Sequence, residues 1–164
     1  MLKFQAKLAL VTGASSGLGE AICHALANHK IPLILVSRNE EKLKKVASKL
    51  STSTHVHPAD LTNADQRKEL IKLIQYFQPD LVINNAGFGL YGPTLAHPLS
   101  ELEEMMELNV RALMEITIES ARALYRDQKK GIIVNISSIA SFFPSHRLTF
   151  IQQQKLLSTV SQRD

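Results

Sequence analysis

Short apolar runs punctuate this chain. Each ends in a turn-forming residue and gives way to a longer stretch whose apolar residues recur every three or four positions. "LALVTG" (8–13) is such a run and predicts a buried strand. Leu18, Ala21, Ile22, Ala25 and Leu26 then fall at helical spacing and define one apolar helix face. "IPLILVS" (31–37) predicts a second strand, and Leu43, Val46, Ala47 and Leu50 a second helix that is charged on its other side. "THVHPADL" (54–61) supplies a short third strand with its exit loop, and a third helix is expected over about 63–77. "DLVINNAG" (80–87) reads as a fourth strand ending in a turn. Ser100 with Glu103 forms a capping box for a long helix to about Tyr125, and "GIIVNISS" (131–138) is a fifth strand.

Strands alternating with helices predict a parallel sheet with helices on both faces. The strands are apolar throughout, as strands covered on both faces must be. With no internal repeat, low-complexity tract or linker, the chain reads as one α/β domain, a doubly wound parallel sheet. In such sheets ligands bind beyond the carboxyl ends of the strands. The unusual residues lie at those ends.

The chain has 164 residues, 45% of them hydrophobic and 21% charged, an ordinary balance for one globular domain. Its net charge of +4 comes from basic residues spread along the chain, among them Lys42, Lys45, Lys49 and Lys129, and interleaved with acidic ones. A solvated surface accounts for that pattern, and a nucleic-acid partner is not expected. The single cysteine, Cys23, excludes an internal disulfide and fits a reducing compartment. Neither a signal-peptide pattern nor a membrane-length apolar run is present, so a soluble, cytoplasmic protein without a membrane partner is expected. His55 and His57 stand two apart without further ligands at suitable spacing, and no metal is expected.

"TGASSGLG" follows the first strand and opens the first helix. Gly13, Gly17 and Gly19 let backbone approach a pyrophosphate, and the helix turns its positive N-terminal end towards it. A glycine-rich turn alone also opens many helices that bind nothing. At the end of the second strand, a carboxylate would hold the ribose hydroxyls of NAD(H). This chain has Ser37 and then Arg38. A guanidinium suits a 2′-phosphate, which points to NADP(H) in preference to NAD(H); the alternative for Arg38 is one more surface arginine. Asn109 falls on the apolar face set by Leu102, Met105, Met106, Leu113 and Ile116. A buried amide needs partners, and on this ground alone Asn109 reads equally as a satisfied core residue or a functional one. Ser138, after a strand, could simply turn the chain.

Taken with "NNAG" (84–87), "ADL" (59–61) and "NISS" (135–138), this set resembles the short-chain dehydrogenase/reductase family from about residue 5 to residue 145. The resemblance implies a Rossmann-type fold, incomplete here at its C-terminal edge. It implies hydride transfer between NADP(H) and a small-molecule carbonyl or alcohol. It places Ser15, Ser16, Gly17 and Leu18 along the phosphates, Asp60 and Leu61 beside the adenine, and Asn85, Ala86 and Gly87 along the cofactor. Asn109 takes the place of the family's proton-relay asparagine, and Ser138 that of the serine bonded to the substrate oxygen. The resemblance also implies that relatives commonly pair as homo-oligomers through the long helix and the one after it, which assigns no oligomeric state to this chain.

The pattern then breaks. The family uses Y-x-x-x-K, a tyrosine as general acid/base and a lysine that lowers its pKa. Lys155 lies 17 residues after Ser138, as that lysine should, but four residues before it stands Ile151, which has no titratable proton. Tyr76, Tyr91 and Tyr125 are not placed to substitute. A one-base slip near Ser145 accounts for the break. One synonymous coding of residues 151–163, with a final codon for Asp164, read from the last base of the Phe150 codon, gives Y-T-A-A-K-A-A-L-N-S-F-S-E-R. Residues 1–145 are thus expected to be a partial NAD(P)-binding domain, and 146–164 an out-of-frame tail that leaves the chain inactive. The competing reading is a non-catalytic dinucleotide-binding or interaction module, and a third is a non-functional fragment of a damaged gene.

Overall fold

A computed structural model describes residues 4–137. Ser138, Ile151, Lys155 and the 146–164 tail lie outside the described residues. Five parallel strands form one sheet: β1 (Ala9–Thr12), β2 (Leu33–Ser37), β3 (Thr54–Pro58), β4 (Leu81–Asn84) and β5 (Ile132–Asn135), in the order β3-β2-β1-β4-β5. Between them run α1 (Gly17–Asn28), α2 (Glu40–Ala47), α3 (Ala64–Phe77), α4 (Leu99–Met106) and α5 (Leu113–Arg126). The architecture is the doubly wound Rossmann-type sheet that the sequence predicts.

The strand period of two sorts the core into halves. Ala9, Val11, Leu33, Leu35 and Ile83 face α1 and α2, meeting Cys23, Ala27, Leu43 and Val46. Leu10, Ile34, Val36 and Val82 face the other way, against Leu70 and Ile74 of α3 and Ala112 and Ile116 beside and on α5. Both sides of β1 and β2 are therefore apolar, which is why these strands carry no alternating pattern. Burial pushes the Cys23 thiol up to about 12, with the Glu20 carboxylate adding to the effect, so this cysteine is a packing residue rather than a nucleophile.

The chain crosses the sheet between β1 and β4, where successive connections leave in opposite directions. That is the switch point at which such sheets open a crevice. Asp80 ties this centre together by accepting from the backbone N–H groups of Lys7 (2.9 and 3.0 Å) and Leu8 (3.0 Å) at the entry to β1.

Two details differ from the sequence reading. The helix expected from Ser100 starts at Leu99 with Pro98 in the cap position, and no side chain caps it; Ser100 lies within the first turn. Proline's fixed φ makes that start without a hydroxyl. The expected single helix is also interrupted by a π-helical turn at Glu107–Ala112, which contains Asn109. Among the described residues β5 is an outer strand paired with β4, and Ile132 on it is 40% exposed.

Candidate functional site

The carboxyl ends of β1, β2 and β4 converge on an open cleft of about 360 Å³. The floor is made by the turn after β1. Thr12 Oγ1 accepts from the backbone N–H groups of Asn85 and Ala86, each at 3.0 Å. The Asn85 amide donates back to the carbonyls of Thr12 (3.1 Å) and Gly13 (3.3 Å). Four hydrogen bonds thus lock the glycine turn to the segment after β4. This contact is possible only because Gly13 and Gly19 lack side chains. A Cβ at Gly13, which has φ +67°, would stand 2.8 Å from Asn85 Nδ2, and one at Gly19 would stand 2.1 Å from the Gly13 carbonyl oxygen.

At one end, Gly13, Ser15, Ser16 and Leu18 line the cleft where α1 begins. No side chain caps α1 at Ser16, so its first N–H groups remain directed at whatever occupies the turn. Leu18 is 56% exposed, apolar surface at the mouth of a polar site. Gly17 is not part of the lining; its φ of +56° bends the chain into α1.

At the other end stand Arg38, Asp60 and Leu61. Ser37 donates to Ser15 Oγ at 2.8 Å, joining the end of β2 to the glycine turn. Neither residue at this strand end, Ser37 or Arg38, is acidic. Arg38 extends past it and meets Glu104 of α4 at 3.3 Å. Asp60 Oδ1 accepts from Thr62 N (2.9 Å) and Thr62 Oγ1 (2.7 Å), which fixes the loop that presents Leu61. Asn85, Ala86, Gly87 and Phe88 form the third wall, with Leu108 across from them.

Asn109 is buried behind that wall and does not line the cleft. Its amide makes a two-way pair with the Phe88 backbone: Phe88 N donates to Oδ1 (3.1 Å), and Nδ2 donates to the Phe88 carbonyl (2.7 Å). The π-helical turn and the segment leading from the switch point are thereby clamped together. A second buried amide, Asn84, donates to Thr117 Oγ1 (3.0 Å) and Asn135 Oδ1 (2.9 Å), linking β4, α5 and β5.

The sequence reading therefore names most of the cleft. It missed Thr12 as the anchor of the turn, Leu108 as a wall and Glu104 as the partner of Arg38. Thr12 carried a faint signal, being a hydroxyl at the end of an otherwise apolar strand. Glu104 carried none, because 66 residues separate it from Arg38. Histidine chemistry stands apart from the cleft. His55 packs on Phe77 with ring centroids 5.1 Å apart, and burial, then the His55 charge, lowers the pKa of His57. Among the described residues no group of three or more His, Cys, Asp or Glu side chains converges on a common point. No described helix is long and apolar enough to cross a membrane.

Residues 7–150 match the short chain dehydrogenase family. The chain is 38% identical over 139 residues to an "uncharacterized oxidoreductase" of Staphylococcus aureus, covering 83% of this chain and 60% of that protein. A counterpart from Staphylococcus epidermidis is 32% identical over 147 residues, 88% of this chain and 64% of its own. The chain thus spans less than two thirds of the length of these relatives. Among solved structures, a metagenomic short-chain oxidoreductase in complex with NADP superposes with a TM-score of 0.84 at 28% identity, covering 91% of this chain and 70% of that one. A bulky-bulky ketone specific alcohol dehydrogenase from Comamonas testosteroni superposes with a TM-score of 0.85 at 26% identity, covering 93% and 63%.

Proposed function

The chain belongs to the short-chain dehydrogenase family, and from that premise we propose that it is the dinucleotide-binding part of an NADP(H)-dependent oxidoreductase acting on a small-molecule carbonyl or alcohol. The single observation that carries the cofactor choice is the end of β2, where Ser37 and Arg38 stand and no carboxylate does. A guanidinium is a donor for a 2′-phosphate, and a carboxylate there would repel it.

The residues present fit such a cofactor. Gly13, Ser15 and Ser16 line the cleft, and the start of α1, which no side chain caps, would face a pyrophosphate there. Ser15, Ser16 and Leu18 would border the phosphates, Leu61 the adenine, and Ala86 and Gly87 the length of the molecule. When bound, the nicotinamide supplies the hydride. The chain's own task is to orient the reactants and move a proton. Asn109 holds the Phe88 backbone in place and, with Ser138, would serve the proton path; Lys155 would join it only with the frame as given, since an out-of-frame tail matches the family's lysine partly by accident. That path lacks its acid/base residue, because Ile151 cannot donate or accept a proton.

Titration of the chain with NADPH and NADH tests the reading. We expect NADPH to bind more tightly, and Arg38→Ala to weaken NADPH by about tenfold while leaving NADH nearly unchanged, since an exposed charge-assisted hydrogen bond contributes about 1.4 kcal/mol. Equal affinities that Arg38→Ala does not alter would defeat the NADP(H) assignment.

Ile151 also favours a second reading, a dinucleotide-binding module without chemistry. The out-of-frame proposal for residues 146–164 separates the two. Resequencing the gene across the Ser145 codon is expected to show that one base restores Y-x-x-x-K, and the restored product is expected to turn over carbonyl substrates where the present chain does not. An unbroken frame as given would leave the non-catalytic module as the reading to pursue.

A further inference from the structure

Arg38, which lines the cleft, and Glu104, which does not, reach each other from different elements. Arg38 follows β2; Glu104 rides on α4, one turn before the cleft-lining Leu108, and its contact with Arg38 sets its carboxylate beside the Arg38 end of the site. The guanidinium and carboxylate meet at 3.3 Å, with side-chain exposures of 60% and 46%. A pair this exposed exchanges readily for another partner. It also keeps a negative charge beside the group that a phosphate would seek.

We propose that Glu104 is a specificity-determining residue of this site: its carboxylate competes with the 2′-phosphate of NADP(H) for the Arg38 guanidinium and so narrows the preference for NADP(H) over NAD(H). This rests on the NADP(H) reading of Arg38. When the phosphate takes Arg38, the Glu104 carboxylate is left within a few ångströms of a second anion. NADH has a hydroxyl in place of that phosphate and meets no such repulsion.

The test is isothermal titration of NADPH and NADH into wild type, Glu104→Gln, Arg38→Ala and the double variant. Both side chains are exposed, so folding is not at issue, and Gln keeps the shape of Glu without its charge. Removing one unit charge at this range is expected to tighten NADPH by roughly three- to tenfold at low salt, with the gain shrinking as ionic strength rises. NADH is expected to stay within about twofold, and the gain should shrink in the Arg38→Ala background, where competition for the guanidinium is gone and only direct carboxylate–phosphate repulsion remains. An NADPH preference that depends on Arg38 but is unmoved or diminished by Glu104→Gln overturns this proposal alone. Equal binding of both dinucleotides that Arg38→Ala leaves unchanged, or binding of neither, overturns the reading beneath it and the proposal with it.

Discussion

Gly19→Ala is expected to lower the melting temperature by about 10 °C and to weaken NADPH binding by more than about a hundredfold. The position has no room for one more carbon. A Cβ there would sit 2.1 Å from the Gly13 carbonyl oxygen, 2.7 Å from Asn85 Nδ2 and 2.8 Å from the Gly13 carbonyl carbon. Two of these atoms are backbone, held by the hydrogen bonds that the Asn85 amide donates to the Thr12 and Gly13 carbonyls, joining β1 to the end of β4. They cannot step aside as the tip of a side chain can. Either α1 moves away from the sheet or the glycine turn opens, and overpacking of this kind costs roughly 3 kcal/mol. At about 2–4 °C per kcal/mol, that gives the expected shift. Opening the turn also displaces the backbone that would face the pyrophosphate of the proposed cofactor. Gly17→Ala is the informative contrast. Nothing lies within 4 Å of a Cβ there, but the φ of +56° strains any L side chain. Its cost should be about 1 kcal/mol, paid locally. Thermal melts and NADPH titrations of both variants decide the matter. A Gly19→Ala protein that melts with wild type and binds normally would show that the turn is not packed on Asn85 as described.

The legible parts of this protein were those written in local sequence. Ala9–Thr12 and Leu33–Ser37 are buried on both faces, so unbroken apolar runs announced them. The glycines of the β1–α1 turn, Arg38 after β2 and the amides after β4 all follow strands directly, and the topology alone brings strand ends together. What stayed hidden required distance. Glu104 meets Arg38 only because α4 folds back towards the end of β2. The π-helical turn at Glu107–Ala112 has no signature in an amphipathic stretch that continues on both sides of it. The capping box at Ser100 was a local pattern that the chain did not use, because Pro98 already fixed the helix start. Arg67 was the largest surprise. It falls in a helix rich in charge, where a solvated position is the ordinary expectation, yet it is 2% exposed.

That burial makes Arg67→Met the other substitution with a large expected effect. Arg67 Nη1 donates to the carbonyls of Leu61 and Thr62, each at 2.9 Å, Nε meets Glu115 at 2.9 Å, and Nη2 meets Glu107 at 3.1 Å. One guanidinium therefore binds the loop after β3 to both sides of the π-helical turn that holds Asn109. Methionine fills much of the volume but takes the guanidinium from two carbonyls and leaves two carboxylates sharing Arg111. Removing one partner from a buried ion pair costs about 3–5 kcal/mol. Here the figure is discounted to about 2–3 kcal/mol, because Glu107 and Glu115 are 34% and 31% exposed and both also meet Arg111. A fall in melting temperature of about 5–10 °C follows. Loss of the two carbonyl anchors should also loosen the loop that presents Leu61, so NADPH affinity should drop by more than the stability loss alone explains. Adding Glu115→Gln to Arg67→Met removes one of the two carboxylates and should recover part of the stability but none of the affinity. If Arg67→Met melts within about 1 °C of wild type, the guanidinium is not the tie between α3 and the Asn109 turn, and the loop must be held by its own Asp60–Thr62 hydrogen bonds.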